Sequence, residues 1–263
     1  MYPSFIEISY RKNLLSLVGI LTKDITLSTI DNQYFKSSYK SSIRQDDVIS
    51  DIDRILENLK LKFLSNLTYI VSDLFKTVSS IDSFNIRSLI NALKRLNLTP
   101  QILQSRAKAT KDLMRIWVIE NTRLIKSINA NLLDSVASDI YQAVKNGESL
   151  TSLARDLQKT YNITASRAKL IAADQVAKLN GLLTKERKLS LGLINYVWAT
   201  TKDERVRKSH KVLDGLVCSF EDDTKFKKSI EDKRWFKRNS IGGDSHHPGL
   251  AIRCRCTSYS IYT

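Results

Sequence analysis

Gly192-Leu193-Ile194-Asn195-Tyr196-Val197-Trp198-Ala199-Thr200 is the stretch at which the chain changes character. Its aromatic and β-branched content is that of a strand. Alternation puts Tyr196 and Trp198 on one side and Val197 on the other, so an aromatic pair packs into whatever core this strand serves. The residues beyond it are charged and punctuated by turn dipeptides: Asp214-Gly215, with Gly215 supplying a positive φ, then Gly242-Gly243 and Pro248-Gly249. Thr257-Ser258-Tyr259-Ser260-Ile261-Tyr262 reads as a further strand. The last third is therefore expected to be a small α+β unit with short strands.

Upstream of Gly192 the pattern is helical. With 8 Gly and 3 Pro in 263 residues, long helices are favoured over a turn-rich β fold. Val48, Ile52, Ile55, Leu56, Leu59, Phe63, Leu67, Ile70, Val71, Leu74 and Val78 recur at three- and four-residue steps, predicting one long helix. Ile86, Leu89, Ile90, Leu93 and Leu96 form a second run ending at Asn97-Leu98-Thr99-Pro100. A third, long run extends from Leu103 to Val144 and stops at Gly147, with Arg106, Lys108, Lys111, Arg115, Arg123 and Lys126 along it as a solvated face. Two shorter helices come next, one capped by Ser149 or Thr151, the other capped by Thr164 and running to about Leu191. Residues 1–40 mix apolar and hydroxyl side chains and end in the polar run Tyr34–Ser42, the mark of an irregular arm or loop. Within it the apolar Leu14–Leu21 reads as a buried helix or strand; Arg11 and Lys12 before it mimic a secretory signal, but Glu7 and the lack of a small-residue cleavage site argue against export. The fold class expected is mainly helical α+β: a long-helix region over residues 1–145 and a small C-terminal α+β unit over 146–263.

Lys+Arg 42 against Asp+Glu 27 gives a net charge of +15, which suits a polyanionic partner, although a Lys-rich proteome would give the same excess. Lys225, Lys227, Lys228, Lys233, Arg234, Lys237 and Arg238 stand against only Glu231 and Asp232, interleaved with Phe226, Trp235 and Phe236. With Arg205 and Arg207 they are the candidate contacts to double-stranded DNA, made to phosphates and so independent of sequence; the alternatives are a solvated loop or one docked on an acidic protein surface. No run reaches the ~18–20 apolar residues that span a bilayer, so no membrane partner is expected.

The three cysteines, Cys218, Cys254 and Cys256, and the three histidines, His210, His246 and His247, all fall in the last 54 residues. An odd cysteine count is a poor disulfide framework and fits synthesis in a reducing cytoplasm. His210, one of His246 and His247 (His246 is the candidate), Cys254 and Cys256 would make the four N/S donors of a structural zinc site; simple burial of the thiols is the alternative, since Cys-x-Cys is not the usual zinc knuckle. Asp203, His210, Asp214, Asp244 and His246 could instead serve a metal-dependent nuclease, the runner-up reading, but their spacing matches no nuclease signature. There is no phosphate-binding Gly-rich loop and no nucleophile elbow. No catalytic residue is assigned.

Several of these pieces occur in a definite order: Gly147-Glu148-Ser149-Leu150; Ala165-Ser166-Arg167-Ala168-Lys169-Leu170-Ile171-Ala172-Ala173-Asp174-Gln175; the strand with Tyr196 and Trp198; Asp203-Glu204-Arg205-Val206-Arg207-Lys208-Ser209-His210; Leu213-Asp214-Gly215; Pro248-Gly249; and Cys254-Arg255-Cys256. In that order, over the C-terminal 110–120 residues, they resemble the phage Mu F-like family of head morphogenesis proteins. The resemblance implies a minor capsid protein, not an enzyme, present in few copies in the phage head or at its portal vertex, made in the host bacterial cytoplasm and partnered by portal or major capsid protein. It implies family-motif roles for Tyr196, Trp198, Asp203, Arg205, Arg207, His210, Asp214, Gly215, Pro248, Gly249, Cys254, Arg255 and Cys256. Cys218 and the His246-His247 pair depart from the pattern. On its own chemistry Asp203 can bridge to Arg205 or Arg207, or cap the turn that leads to His210.

Overall fold

Helix α1, Ser4–Ser28, opens the chain in the computed structural model, which describes residues 2–33, 36–37, 45–95 and 107–261. Ile6, Tyr10, Leu14, Val18, Leu21 and Ile25, at steps of three and four, form its buried stripe. This corrects the expected irregular arm. The hydroxyls that gave the segment its loop-like composition turn back onto helix carbonyls: Thr22 to Gly19, Thr26 to Thr22 and Thr29 to Ile25, at 3.1, 2.9 and 2.8 Å. The polar run 34–42 falls, Lys36 and Ser37 excepted, outside the described residues.

The stripe read as one helix from Val48 to Val78 belongs to two, α2 (Gln45–Ser65) and α3 (Leu67–Lys94). At the joint Asn66 Nδ2 and Ser65 Oγ both donate to the Lys62 carbonyl, at 2.9 and 2.8 Å, satisfying the end of α2. The second run from Ile86 continues α3 without a break, because Asp82 and Asn85, which interrupt its apolar pattern, face a buried arginine, Arg187, and bond to it. The stop at Leu96–Pro100, and Leu103 and Arg106, lie outside the described residues. Helix α4, Ala107–Lys145, comes next; Lys108, Lys111, Arg115, Arg123 and Lys126 are all exposed on it. Gly147, at φ 65°, ends this segment.

Helix α5, Leu150–Ser190, is one helix where two were expected. Ser149 is its cap, accepting from the Ser152 amide at 3.1 Å. Thr164 caps nothing; its hydroxyl donates to the Thr160 carbonyl one turn back, at 2.9 Å.

Strand β1, Asn195–Ala199, then begins a five-stranded antiparallel sheet. A single helical turn, α6 (Lys208–Lys211), leads to β2 (Val217–Ser219), β3 (Lys225–Lys227), the short β4 (Phe236–Lys237), a 3-10 turn (Arg238–Ile241) and β5 (Thr257–Ser260). The order is β4-β3-β2-β1-β5, so β1 lies between its immediate successor and the last strand. The fold is thus mainly helical α+β.

The described fold forms two compact units, each discontinuous in sequence: Met1–Glu7, Lys76–Ile119 and Ala173–Thr263 in one, Ile8–Phe75 and Glu120–Ala172 in the other. The second unit is helical, with a core that includes Ile25, Ile52, Leu74, Ile125, Ile128, Leu132 and Ile140 and a buried bond from Tyr10 Oη to Asn121 Oδ1 of 2.8 Å. The first carries the sheet. No described helix is long and apolar enough to cross a membrane.

Candidate functional site: a buried histidine-cysteine centre

Tyr196 and Trp198 are both fully buried on one face of β1, as alternation predicts, in a core with Leu213, Cys218, Phe220, Phe226, Ala251, Cys254 and Cys256. Tyr196 stacks on Phe220 at 4.3 Å between ring centroids, and Trp198 meets the His210 ring edge-on at 5.4 Å. The motif pieces from Asp174 to Cys256 meet in or beside this core through specific contacts, whereas residues 147–150 belong to the other compact unit.

Pro248-Gly249 lies against α5. A Cβ on Gly181 would come 2.9 Å from the Pro248 carbonyl oxygen, and one on Gly249, at φ 87°, would come 3.1 Å from the Ala177 carbonyl. Both glycines are therefore required by the close approach of loop and helix. Asp174, the acidic position of the family-like helix, accepts from the Arg253 amide at 3.2 Å and pairs with Lys178 at 2.9 Å, holding the turn before Cys254, in which Arg253 adopts φ 58°. Asp203 accepts from the Arg205 amide at 3.1 Å, capping its own turn, and its side-chain partner is Arg255 rather than Arg205 or Arg207. Arg207 donates to the Ile252 carbonyl. Asp214 accepts from the amide and hydroxyl of Thr200, at 2.7 and 3.0 Å, and Gly215 has φ 80°.

At the centre His210, 2% exposed, sits between two kinds of partner. Its Nδ1 lies 3.6 Å from Cys254 Sγ and 3.5 Å from Cys256 Sγ; its Nε2 lies 3.1 Å from Asp244 Oδ2. Nε2 thus carries the proton given to the carboxylate, leaving the Nδ1 lone pair toward the two thiols. The contact with Cys254, opposed by burial and helped by Asp244, raises the His210 pKa. A hydrogen bond from Cys256, working against burial and helped by the contact with His210 and by the Gly249 amide, draws Cys254 toward thiolate, and the Cys256 proton is held correspondingly tightly. All three cysteines are free and buried. The ligand atoms of His210, Cys254 and Cys256 lie within 4.8 Å of one another, the one such group of His, Cys, Asp and Glu among the described residues.

His246 does not join them. It is exposed and holds the other oxygen of Asp244, at 2.6 Å from Nδ1. Burial works against ionisation of Asp244, but the bonds from His246 and His210 outweigh it and hold its pKa down at about 2. His247 is buried elsewhere in the same core: Lys185 Nζ is 3.1 Å from Nε2 and Tyr196 Oη is 3.2 Å from Nδ1. Only the tautomer protonated at Nδ1 gives Lys185 an acceptor, so His247 donates to Tyr196. Of the residues of the nuclease reading, Asp244 bonds both His210 and His246, while the other two carboxylates are committed elsewhere. Asp203 is engaged by Arg255 and Asp214 by Thr200, and no three of Asp203, His210, Asp214, Asp244 and His246 offer ligand atoms within 4.8 Å of each other.

The basic run 225–238 divides between surface and interior. Lys225, Lys228, Lys233, Arg234 and Lys237 are exposed, as are Arg205 and Arg207, and Lys227 is half-buried over Trp235 at 4.7 Å. Arg238 is 1% exposed and lies inside, its donors spent on the carbonyls of Lys225, Asp244 and His246 and on Tyr196 Oη, at 3.1, 3.3, 3.1 and 3.0 Å, with the guanidinium over Trp198. It is a tie between β3, the 244–246 loop and β1. Arg238, Asp244, Gly181 and Asp174 are the residues of this site whose roles the sequence did not disclose.

This interlocked order of α5, β1, the His210 turn, Pro248-Gly249 and Cys-Arg-Cys has a counterpart among known proteins. Residues 134–259 match the family of phage Mu protein F like proteins. The Mu F-like segment occupies just under half of the chain, and the family is one of phage head morphogenesis. An uncharacterized protein of Haemophilus influenzae is 33% identical over 141 residues, 54% of this chain and 28% of that relative, so the match spans less than a third of the relative's length. No solved structure matches.

Proposed function

We propose that the chain is a minor head protein of a tailed phage, acting in head assembly near the portal, in which the Mu F-like domain docks and neither makes nor breaks a covalent bond. The observation that carries this is the family match over residues 134–259. A docking role is supported by the use made of the chemically capable side chains: Asp203, Asp214, His247 and Arg238 are each committed to internal hydrogen bonds. The groove flanked by Asp203, Glu204 and Asp214, about 340 Å³ in volume, has no imidazole among its lining residues. The exposed lysines and arginines near Trp235, added to the net charge of +15, favour contact with packaged DNA through its phosphates.

Mass spectrometry of purified virions and precursor heads tests the assignment: the chain is expected at low copy number in one or both. Its absence from both overturns the reading. The competing nuclease is tested by incubating the protein with duplex DNA and Mg²⁺, Mn²⁺ or Zn²⁺, where unchanged DNA is the expected result.

A further inference from the structure

We propose that His210, Cys254 and Cys256 bind one zinc ion, and that Asp244 fixes His210 from outside the coordination sphere. This goes beyond the head-assembly reading and does not depend on it.

The geometry of the donors carries the inference. Zinc–sulfur and zinc–nitrogen bonds of about 2.3 and about 2.0–2.1 Å at the tetrahedral angle set a sulfur-to-nitrogen edge of about 3.6 Å. The two edges here are 3.5 and 3.6 Å, and both run from the same nitrogen. A hydrogen-bonded thiol and imidazole would account for one such contact; a single lone pair does not serve two thiols at the same length. The second observation is independent of the sulfurs. The remote nitrogen of His210 is on the carboxylate of Asp244, the arrangement that fixes the tautomer and orientation of a metal-bound imidazole. Asp244 is itself oriented by the His246 side chain and amide and by Arg238, which binds its carbonyl. The Gly249 N–H points at Cys254 Sγ from 3.4 Å, orienting that sulfur within the pocket. Two sulfurs and one imidazole select a borderline-soft cation over magnesium or calcium.

The chemistry also fits the architecture. The strands here are two to five residues long, and the ion would join the α6 turn to the segment entering β5, 44 residues later. Metal binding there would tie together two points distant in sequence beneath a sheet whose strands are short. Among the described residues no fourth His, Cys, Asp or Glu joins this set. His246, the fourth donor expected from the sequence, is exchanged for a supporting position on Asp244.

The test uses the full chain purified under reducing conditions without added metal. Elemental analysis should find close to one zinc per chain, and cobalt substitution should give thiolate-to-cobalt charge-transfer absorption in the near ultraviolet. His246→Ala should retain the ion, Asp244→Asn should weaken it by about 10- to 100-fold, and a Cys254→Ser, Cys256→Ser double variant should lose it. Because that variant risks failing to fold, the melting temperature of the wild-type chain is measured in free zinc and in chelator, and should be higher in zinc. A folded, zinc-free wild type whose melting a chelator leaves unmoved overturns the proposal, as does a Cys254–Cys256 disulfide in the reduced preparation. Loss of the ion in His246→Ala overturns the ligand set. Virion content is unaffected by either outcome.

Discussion

A methyl group at position 181 would meet the Pro248 carbonyl oxygen at 2.9 Å, and backbone on both sides leaves little room to yield. Gly181→Ala gains about 1 kcal/mol of helix propensity but forces helix and loop apart, an overpacking cost of about 1–3 kcal/mol. A net loss of about 1 kcal/mol in urea unfolding is expected; a stabilised variant would mean the loop is not seated on α5. His247 supplies a pH-dependent counterpart. Burial first, then the charges of Lys185 and Arg238, hold its imidazole at about 4 against an ordinary 6.5. Between those values the unfolded chain binds a proton that the folded chain refuses, so stability is complete above pH 6.5, falls as pH is lowered through the window, and levels off below about 4. The gap corresponds to about 3 kcal/mol. Denaturant unfolding from pH 4 to 7.5 should show this slope in the wild type and lose it in His247→Gln; equal slopes would exclude His247 as its source. The sequence disclosed the positions of such residues better than their partners. Arg238 sat in a row of seven basic residues that gave no sign which turned inward, except that it alternates with Lys237 and falls on the side of Phe236. Gly181 was a lone glycine in a helix, a sign of close approach that named no neighbour.

Helix boundaries were legible where a cap or a positive-φ glycine marked them, as at Ser149 and Gly147. They were misread where polar side chains had tertiary or back-bonding partners. Asp82 and Asn85 broke the apolar pattern of α3 because they face Arg187, and the threonines of α1 passed for loop composition. Thr164 looked like a cap because a threonine preceding an alanine-rich run has the same local sequence in either role. The two are separable by mutation. Ser149→Ala removes a side-chain acceptor from the first turn of α5 and should cost about 1 kcal/mol. Thr164→Ala removes only a bond to a carbonyl that is already paired within the helix, and should cost less than half as much in the same thermal unfolding experiment. The reverse ranking would divide α5 in two. The strands were recognised where aromatic alternation was clear, in β1 and β5; β3 and β4, three and two residues long, carry too little pattern to be read against their charge.

Charge is a property of the whole chain that composition alone determines, and its consequence is measurable. Arg238 lies inside, so the surface set of the 225–238 run is smaller than its composition suggests. Duplex DNA binding should be insensitive to sequence and should weaken steeply with salt; a Lys228→Ala, Lys233→Ala, Arg234→Ala variant should flatten the slope of log K against log salt by about 2.7, at about 0.9 for each lost phosphate contact. An unchanged slope would place the contacts elsewhere on the chain. The sheet order has a different consequence, in time rather than in charge. Trp198 of β1 pairs with Ser258 of β5, so during synthesis β1 leaves the ribosome well before the strand that covers this flank. Until β5 arrives, Tyr196 and Trp198 belong to a nascent surface that invites chaperones or misassociation, and the sheet closes only once its last strand has been made.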